Sequence, residues 1–311
     1  MFPKTQIIVN PESDGGRTGG RWKHIKEVIK IFLKDYKCEF TEKPRQATEI
    51  SRTAIKEGSE LIVGVGGDGT INEIANGFYE NRKLINSETA LGVIPSGSGC
   101  DFSKSLKIPS GFRKAMEIIT QVSPSLIDIG KIRFINHEGN KEERFFLNIA
   151  DFGIGGEVVK RMNQNRTTRR TSSYLRSLII TFLNYKDKKL RIKIDGKEIP
   201  VENYMIGAIS NGRIFGRGMK IAPHALLNDG LFDVVLIKGM KIIEFLRNGW
   251  KIYLGSHLSH PKVSLIQGKK IEVLHESDEK NVLIEVDGEQ VGRLPATFEI
   301  MPRNFLVKGY V

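Results

Sequence analysis

Cysteine is scarce: Cys38 and Cys100 stand far apart, with no CxxC pair and no Cys/His cluster. That leaves no disulfide framework and no zinc finger, and it fits a reducing cytosol in which both thiols stay free. The six histidines show no HExxH pair or other ligand spacing, so each reads as structural or solvated. Long apolar runs are missing as well. The richest stretch, Leu175 to Leu183, is broken by Arg176, Ser177 and Thr181, whereas a membrane-crossing helix needs about 18 apolar residues in a row. The opening Met1-Phe2-Pro3-Lys4 and the short run Ile7-Ile8-Val9 are too brief for the apolar part of an export signal. Acidic residues are in deficit. Against 48 Lys and Arg stand 36 Asp and Glu, a formal charge of +12 over 311 residues, which favours an anionic partner such as a nucleotide or a phospholipid surface. No RNA-binding aromatic signature or basic zipper is present, so nucleic acid is set aside.

What is there begins with an alternation. Gln6 to Val9 reads as a strand; Trp22, Ile25, Ile29, Phe32 and Leu33 share one helical face; Cys38 to Thr41 is a strand again. Ala47, Ile50, Ala54 and Ile55 mark a second helix, Leu61 to Val63 a buried strand, Ile71, Ile74, Ala75 and Phe78 a third helix, and Leu91 to Ile94 a further strand. Strands joined by single helices imply parallel pairing, with ligands gathering at the strand C-terminal ends. The expected first domain, 1–125, is therefore α/β and nucleotide-binding, with a mainly parallel sheet. After Ser125 the pattern turns to strands with turn signals: Ile127 to Phe134, Phe145 to Ile149, Leu190 to Ile194, Tyr204 to Ile209, Leu231 to Ile237, Ile271 to Leu274, Val282 to Val286, Thr297 to Ile300 and Phe305 to Val307. A helix near Ile242 to Tyr253 interrupts them. The expected second domain, 126–311, is β-rich, antiparallel and sandwich-like, with its last strands free to pack back on the first.

Three loops carry phosphate chemistry. Gly66-Gly67-Asp68-Gly69-Thr70, with Asn72 following, sits between a strand and a helix, where glycines admit an anion to the backbone and the helix start supplies N–H groups and dipole. Asp68 beside a polyphosphate calls for Mg²⁺ between them, or for a hydroxyl partner. Ser96, Gly97, Ser98 and Gly99 follow the next strand, and Asn10-Pro11 with Gly15-Gly16-Arg17 follows the first; each alone is as readily a turn, but three at the ends of strands in one sheet point to a site. Rival motifs are weaker. Gly64-x-Gly66-x-x-Gly69 formally matches a dinucleotide fingerprint with Glu88 as its acid, yet lies on a late strand. No Lys follows Gly69 as a Walker motif needs, and Asp151-Phe152-Gly153 has no HRD loop with it, so this tripeptide reads as coincidence. Lys160, Arg161, Arg166, Arg169, Arg170 and Arg176 lie beside an apolar pattern at Tyr174, Leu175, Leu178, Ile179, Phe182 and Leu183, either a helix for an anionic membrane or an ordinary surface helix packed on its own domain.

Taken with Gly92-Val-Ile-Pro95, Asp101-Phe102, Asp128-Ile-Gly130, Asn228-Asp-Gly-Leu-Phe-Asp233 and Val286-Asp-Gly-Glu289, these loops resemble, over nearly the whole chain, the diacylglycerol kinase catalytic-domain superfamily. These are bacterial lipid kinases, with relatives of sphingosine kinase among them. The resemblance implies an ATP-dependent transfer of the γ-phosphate to a lipid hydroxyl, with diacylglycerol giving phosphatidic acid as the leading case. It puts Asn10, Thr41, Gly66, Gly67, Asp68, Gly69, Thr70, Asn72 and Ser98 on the nucleotide, and makes Glu289 with Asp287 the catalytic acid pair, a carboxylate able to accept the hydroxyl proton. It also implies a structural Mg²⁺ on the Asp229 side chain and the carbonyls of Leu226 and Leu231, oxygen ligands that suit a hard cation. Read without it, Asp287-Gly288 and Asn228-Asp229-Gly230 are turns.

Two departures stand out: Cys100 occupies a place usually taken by Asn, and the first loop reads Asn-Pro-Glu-Ser-Asp-Gly-Gly where Asn-Pro-x-Ser-Gly is usual. The expected location is the cytoplasm, peripheral to the inner face of the membrane, with ATP and a lipid at an anionic surface as partners and a homodimer allowed. An NAD kinase-like enzyme with a soluble acceptor, an NAD-dependent oxidoreductase and a non-catalytic lipid-binding protein remain as alternatives.

Overall fold

The structure, a computed structural model, describes residues 4–164, 171–276 and 281–311. The chain divides into two compact units: one of residues 1–128 with 303–311, the other of residues 129–302.

In the first unit, strand β1 (Thr5–Val9), helix α1 (Arg17–Phe32), β2 (Lys37–Phe40), α2 (Gln46–Lys56), β3 (Leu61–Gly66) and α3 (Asp68–Gly77) follow one another. A small antiparallel hairpin, β4 (Tyr79–Glu80) with β5 (Lys83–Leu84), precedes β6 (Ala90–Pro95), α4 (Asp101–Ser105) and α5 (Phe112–Gln121). β1 pairs in parallel with β2 and β3, and β3 in parallel with β6. At the end of the chain Leu306 and Val307 pair in parallel with Ala90 and Leu91. Every residue of β1, β3 and β6 is buried, as expected of strands covered on both faces. The helices turn apolar residues inward at helical spacing: Ile25, Val28 and Ile29 from α1, Met116 and Ile119 from α5, onto Ile7, Val63 and Ile94. Burying one such side chain is worth roughly 1.5–3 kcal/mol.

The second unit takes up β7 (Ser125–Asn136) from residue 129, then β8 (Lys141–Phe146), β9 (Ile149–Gly153), α6 (Ile154–Gln164), α7 (Thr171–Asn184), β10 (Lys188–Ile194), β11 (Lys197–Glu198), β12 (Glu202–Ser210), β13 (Phe232–Lys238), α8 (Ile242–Asn248), α9 (Lys251–Leu254), β14 (Val263–Gly268), β15 (Lys270–His275), β16 (Leu283–Val286) and β17 (Glu289–Val307) as far as residue 302. Its pairings are antiparallel: β9 lies between β12 and β16, β12 also pairs β10 and β13, and β15 pairs β10 and β17. Phe146, Phe152, Phe232 and Phe298 fill its core.

Three expectations change. Phe145 to Ile149 is not one strand: β8 stops at Phe146 and β9 begins at Ile149, because the Asp287 carboxylate accepts the N–H groups of Leu147, Asn148 and Ile149 at 2.8–3.1 Å. Thr297 to Ile300 and Phe305 to Val307 are parts of one strand, β17. Pro302 gives no N–H to a ladder, and Arg303 beside it takes a positive φ of 45° while its N–H goes to Asp128 Oδ1 at 2.7 Å. The helix near Ile242 to Tyr253 is two, α8 and α9, parted at Gly249 and Trp250.

Of the basic segment, Arg166, Arg169 and Arg170 lie outside the described residues, as do the side chains of Tyr174 and Leu175. Leu178 and Phe182 pack on a core cluster of their own unit with Ile154, Val158 and Met205, as an ordinary surface helix does, while Leu183 is exposed. Among the described residues no helix is long and apolar enough to cross a membrane.

Candidate active site

In the first unit three loops leave the C-terminal ends of β1, β3 and β6, and small polar contacts stitch them together. Asn10 Nδ2 donates to Thr70 Oγ1 at 2.9 Å, joining loop one to the glycine loop. Ser13 Oγ and Thr18 Oγ1 donate to the Ser96 carbonyl at 2.8 and 2.9 Å, joining loop one to loop three. The glycine loop and loop three nearly touch: a Cβ on Gly97 would lie 2.4 Å from Gly67 Cα, and one on Gly66 would lie 2.7 Å from Thr70 Oγ1. Only glycine allows this approach. The glycines so bring the loops together at the start of α3, whose first-turn N–H groups have no acceptor within the helix and carry its positive end. That is a cradle for phosphate oxygens.

Asp68 opens α3, and it is not an exposed loop carboxylate. Its Oδ2 accepts the Asp101 N–H and its Oδ1 the Phe102 N–H, each at 3.0 Å, so it holds the start of α4 against the glycine loop. Asn72 and Thr41 are also less open than a contact residue would be: Asn72 is wholly buried, with its Oδ1 accepting from Asn76 at 3.1 Å, and Thr41 is buried beside Val9. Ser98 is exposed. Cys100 takes a left-handed φ of 52°, a conformation in which asparagine is enriched several-fold and cysteine is not. Its Sγ reaches the Gly66 carbonyl at 3.9 Å, and burial pushes the thiol up to about 12. The thiol is inert.

In the second unit the turn between β16 and β17 carries Asp287 and Glu289. Asp287 is buried, and its three backbone donors come from a segment about 140 residues earlier. Arg144 of β8, with 11% of its side chain exposed, donates to Glu289, with 36% exposed. The bond is charge-assisted and orients the Glu289 carboxylate toward a partly open surface. Arg144 had no signal in the sequence, because its partner lies 145 residues away. Nor had Asp151 and Glu285, a buried pair facing each other across β9 and β16.

The third group, Leu226, Asp229 and Leu231, lies on the loop before β13. Leu226 and Asp229 are exposed, Gly230 has φ 75°, and Asp229 Oδ1 accepts the Leu231 N–H at 3.0 Å. Burial first, and the charge of Asp229 after it, raise the carboxyl of Asp233 on the adjoining strand. Two carboxylates at one loop, with oxygen donors, fit a hard cation. Among the described residues no cluster of three or more His, Cys, Asp or Glu could hold a metal, so such a cation would depend on carbonyls and water. Elsewhere in this unit, Lys160, Arg161, Lys186 and Lys188 line a cavity of about 440 Å³ together with Glu157 and Thr181.

Residues 4–132 match the family described as the diacylglycerol kinase catalytic domain. Residues 148–308, just over half of the chain, match the family described as the YegS C-terminal NAD kinase beta sandwich-like domain. The chain belongs to the diacylglycerol kinase family. Curated diacylglycerol kinases of Staphylococcus carnosus (strain TM300) and Staphylococcus aureus (strain MRSA252) are 28% and 29% identical to it, over 96% and 98% of this chain and 92% and 91% of their own. A solved diacylglycerol kinase of Bacillus anthracis str. Sterne superposes with a TM-score of 0.71 at 21% identity, covering 99% of this chain and 97% of its own. Yeast NADH kinase does so at 0.51 and 11%, covering 100% and 85%; these two likenesses concern the fold. As a member of this family the protein is a kinase, and the family implies ATP as the phosphate donor.

Proposed function

We propose that this diacylglycerol kinase family member moves the γ-phosphate of ATP to the free hydroxyl of diacylglycerol, giving phosphatidic acid. The observation that carries the reading is the glycine cradle at the start of α3, where Gly66 and Gly97 let the glycine loop and loop three close on Thr70 and Gly67, in a chain matched end to end by proteins named diacylglycerol kinase. Bound with Mg²⁺, ATP supplies the phosphoryl group. Asn10, Gly66, Gly67, Gly69, Thr70 and Ser98 present backbone N–H and short polar groups to its phosphates. Thr41 and Asn72 shape the pocket from behind. Asp68 holds the glycine loop to α4 and remains the candidate partner for Mg²⁺ on the phosphates.

Asp287 organises the acid site. A carboxylate that already accepts three N–H bonds is poorly suited to take a proton, so Glu289, held by Arg144, is assigned as the general base for the acceptor hydroxyl. The oxygen set of Asp229 with the Leu226 and Leu231 carbonyls is assigned to a structural Mg²⁺. The lipid is met at an anionic membrane surface on the cytoplasmic side; the excess of Lys and Arg and the cationic lining at Lys160, Arg161, Lys186 and Lys188 support that.

The deciding experiment is transfer from radiolabelled ATP across diacylglycerol, phosphatidylglycerol, ceramide, sphingoid bases and NAD. Label in phosphatidic acid is expected. Label in NAD alone would replace this reading with the soluble-acceptor one, which the likeness to yeast NADH kinase keeps in view.

A further inference from the structure

Asp151 lies on β9 and Glu285 on β16, opposite each other in the antiparallel register. Residues so placed bring their Cβ atoms to about 5 Å and share a face of the sheet. Asp151 is wholly buried and Glu285 is 9% exposed. Among the described residues no cation acts on the pair. β12 sets Ala208 beside Asp151, and β17 sets Gln290 beside Glu285. α6 closes the site with Gly155, where a Cβ would lie 2.3 Å from either Asp151 oxygen. The other charged group acting on the pair is Asp287, a third carboxylate. Two buried carboxylates in contact cannot both stay ionised, so one proton remains between them. The orphaned atoms agree. The Gly156 N–H acts on Asp151, its oxygens otherwise have no donor among the described residues, and a proton carried by Glu285 supplies one. On its other side Glu285 Oε1 accepts the N–H of Gly288 at 2.6 Å, the middle residue of the turn between Asp287 and Glu289.

We propose that Asp151 and Glu285 are positioning residues: a carboxyl–carboxylate pair that shares one proton and, through Gly288, holds the turn carrying Asp287 and Glu289. The proposal rests on the assignment of Glu289 to the reaction. Burial pushes Asp151 up to about 6 and raises Glu285 well above its ordinary value. Both shifts are upward, so the pair's contribution to stability is complete at low pH and is lost as pH rises through the folded-state titration. Loss of the shared proton creates a second buried charge and loosens the turn.

The test is steady-state kinetics against pH for the full-length wild type, Glu285→Ala and Glu285→Gln, with thermal melts to confirm folding. The alanine removes the acceptor for Gly288 and should lower kcat by ~10-fold or more with KM for ATP within about twofold. Glutamine keeps a carbonyl for Gly288 and an amide donor for Asp151, so it should recover most of the turnover lost by alanine, and the alkaline fall of kcat should disappear. Infrared difference spectra of wild type minus Glu285→Gln at neutral pH should show the C=O stretch of a protonated carboxyl group. A glutamine variant as slow as alanine, an unchanged alkaline limb, or no protonated carboxyl band would overturn the proposal. Normal turnover of Glu289→Gln would remove the catalytic assignment of Glu289 instead, and would leave the infrared result to stand or fall by itself.

Discussion

The loops of the first unit and the acid turn of the second are built from opposite materials. The first site is backbone, hydroxyl and glycine: Asn10 to Thr70, Ser13 and Thr18 to Ser96, Gly67 against Gly97. Its contacts are short, neutral and individually worth about 1 kcal/mol. The acid turn is carboxylates: Asp287 on three backbone donors, Glu289 on Arg144, Glu285 on Gly288 and facing Asp151. A site that must admit a polyanion keeps its own charge low and its amides open, whereas one that must take a proton has to keep a carboxylate fixed in place. The difference teaches where each site is fragile. The loops fail by steric intrusion, and the turn fails by loss of a charge or its partner.

The largest effect should come from Glu289→Gln. The amide keeps the volume and can still bond to Arg144 but cannot accept the hydroxyl proton, so turnover should fall by ~10²- to 10⁴-fold with ATP affinity nearly unchanged. Steady-state kinetics beside an ATP titration checks it. Near-normal turnover would make Glu289 an ordinary strand residue, while an equal loss of ATP binding would blur the contrast between the two sites.

Asp68→Ala tests the carboxylate that the glycine loop itself carries. Turnover should drop by ~10²-fold. The Asp101 and Phe102 N–H groups also lose their acceptor, so a stability loss of ~1–2 kcal/mol should accompany it. A fall in Tm with normal turnover would confine Asp68 to tying the glycine loop to α4.

How much of this was legible in the sequence follows the same division. The glycine loop was plain because its signal is local: the strand Leu61–Gly66, three glycines and the start of α3 occupy one short stretch. That Asp68 caps α4 was not legible, since its partners lie 33 and 34 residues on and donate through backbone atoms that any residue carries. The acid turn was found only as a motif. The break between β8 and β9 at Leu147 and Asn148 is imposed by Asp287 from 140 residues away, and an apolar run such as Phe145 to Ile149 has no mark of it. The Asp151–Glu285 pair is register, which appears only when β9 and β16 are set side by side. Asp151-Phe152-Gly153 looked like chance as a kinase motif, and it is a strand, but its first residue is among the most constrained in the unit.

A smaller effect is expected at the loop before β13. Asp229→Ala should lower Tm by a few degrees in the presence of Mg²⁺ and make the melt insensitive to a chelator, because a cation bound only by the folded state stabilises it by mass action. Activity should fall only indirectly. Equal wild-type melts with and without chelator would withdraw the cation from this loop.

The smallest effect concerns the one residue in the glycine cradle that carries a strained backbone with an unsuited side chain. Cys100 holds φ 52° and ψ 45° at the entrance to α4, where a non-glycine side chain costs about 1 kcal/mol unless it bonds to the backbone locally. Its thiol is a weak donor and reaches the Gly66 carbonyl at 3.9 Å. In Cys100→Asn an amide of similar size replaces it, tolerates the left-handed conformation better and offers a stronger N–H to the same carbonyl. Stability should rise by ~0.5 kcal/mol, read as a shift of one or two degrees in Tm, with the ATP dissociation constant unchanged. A lower Tm would mean that burial of the sulfur outweighs the backbone strain. A changed ATP affinity would mean that this side chain, unlike the backbone and hydroxyl groups around it, takes part in binding the nucleotide.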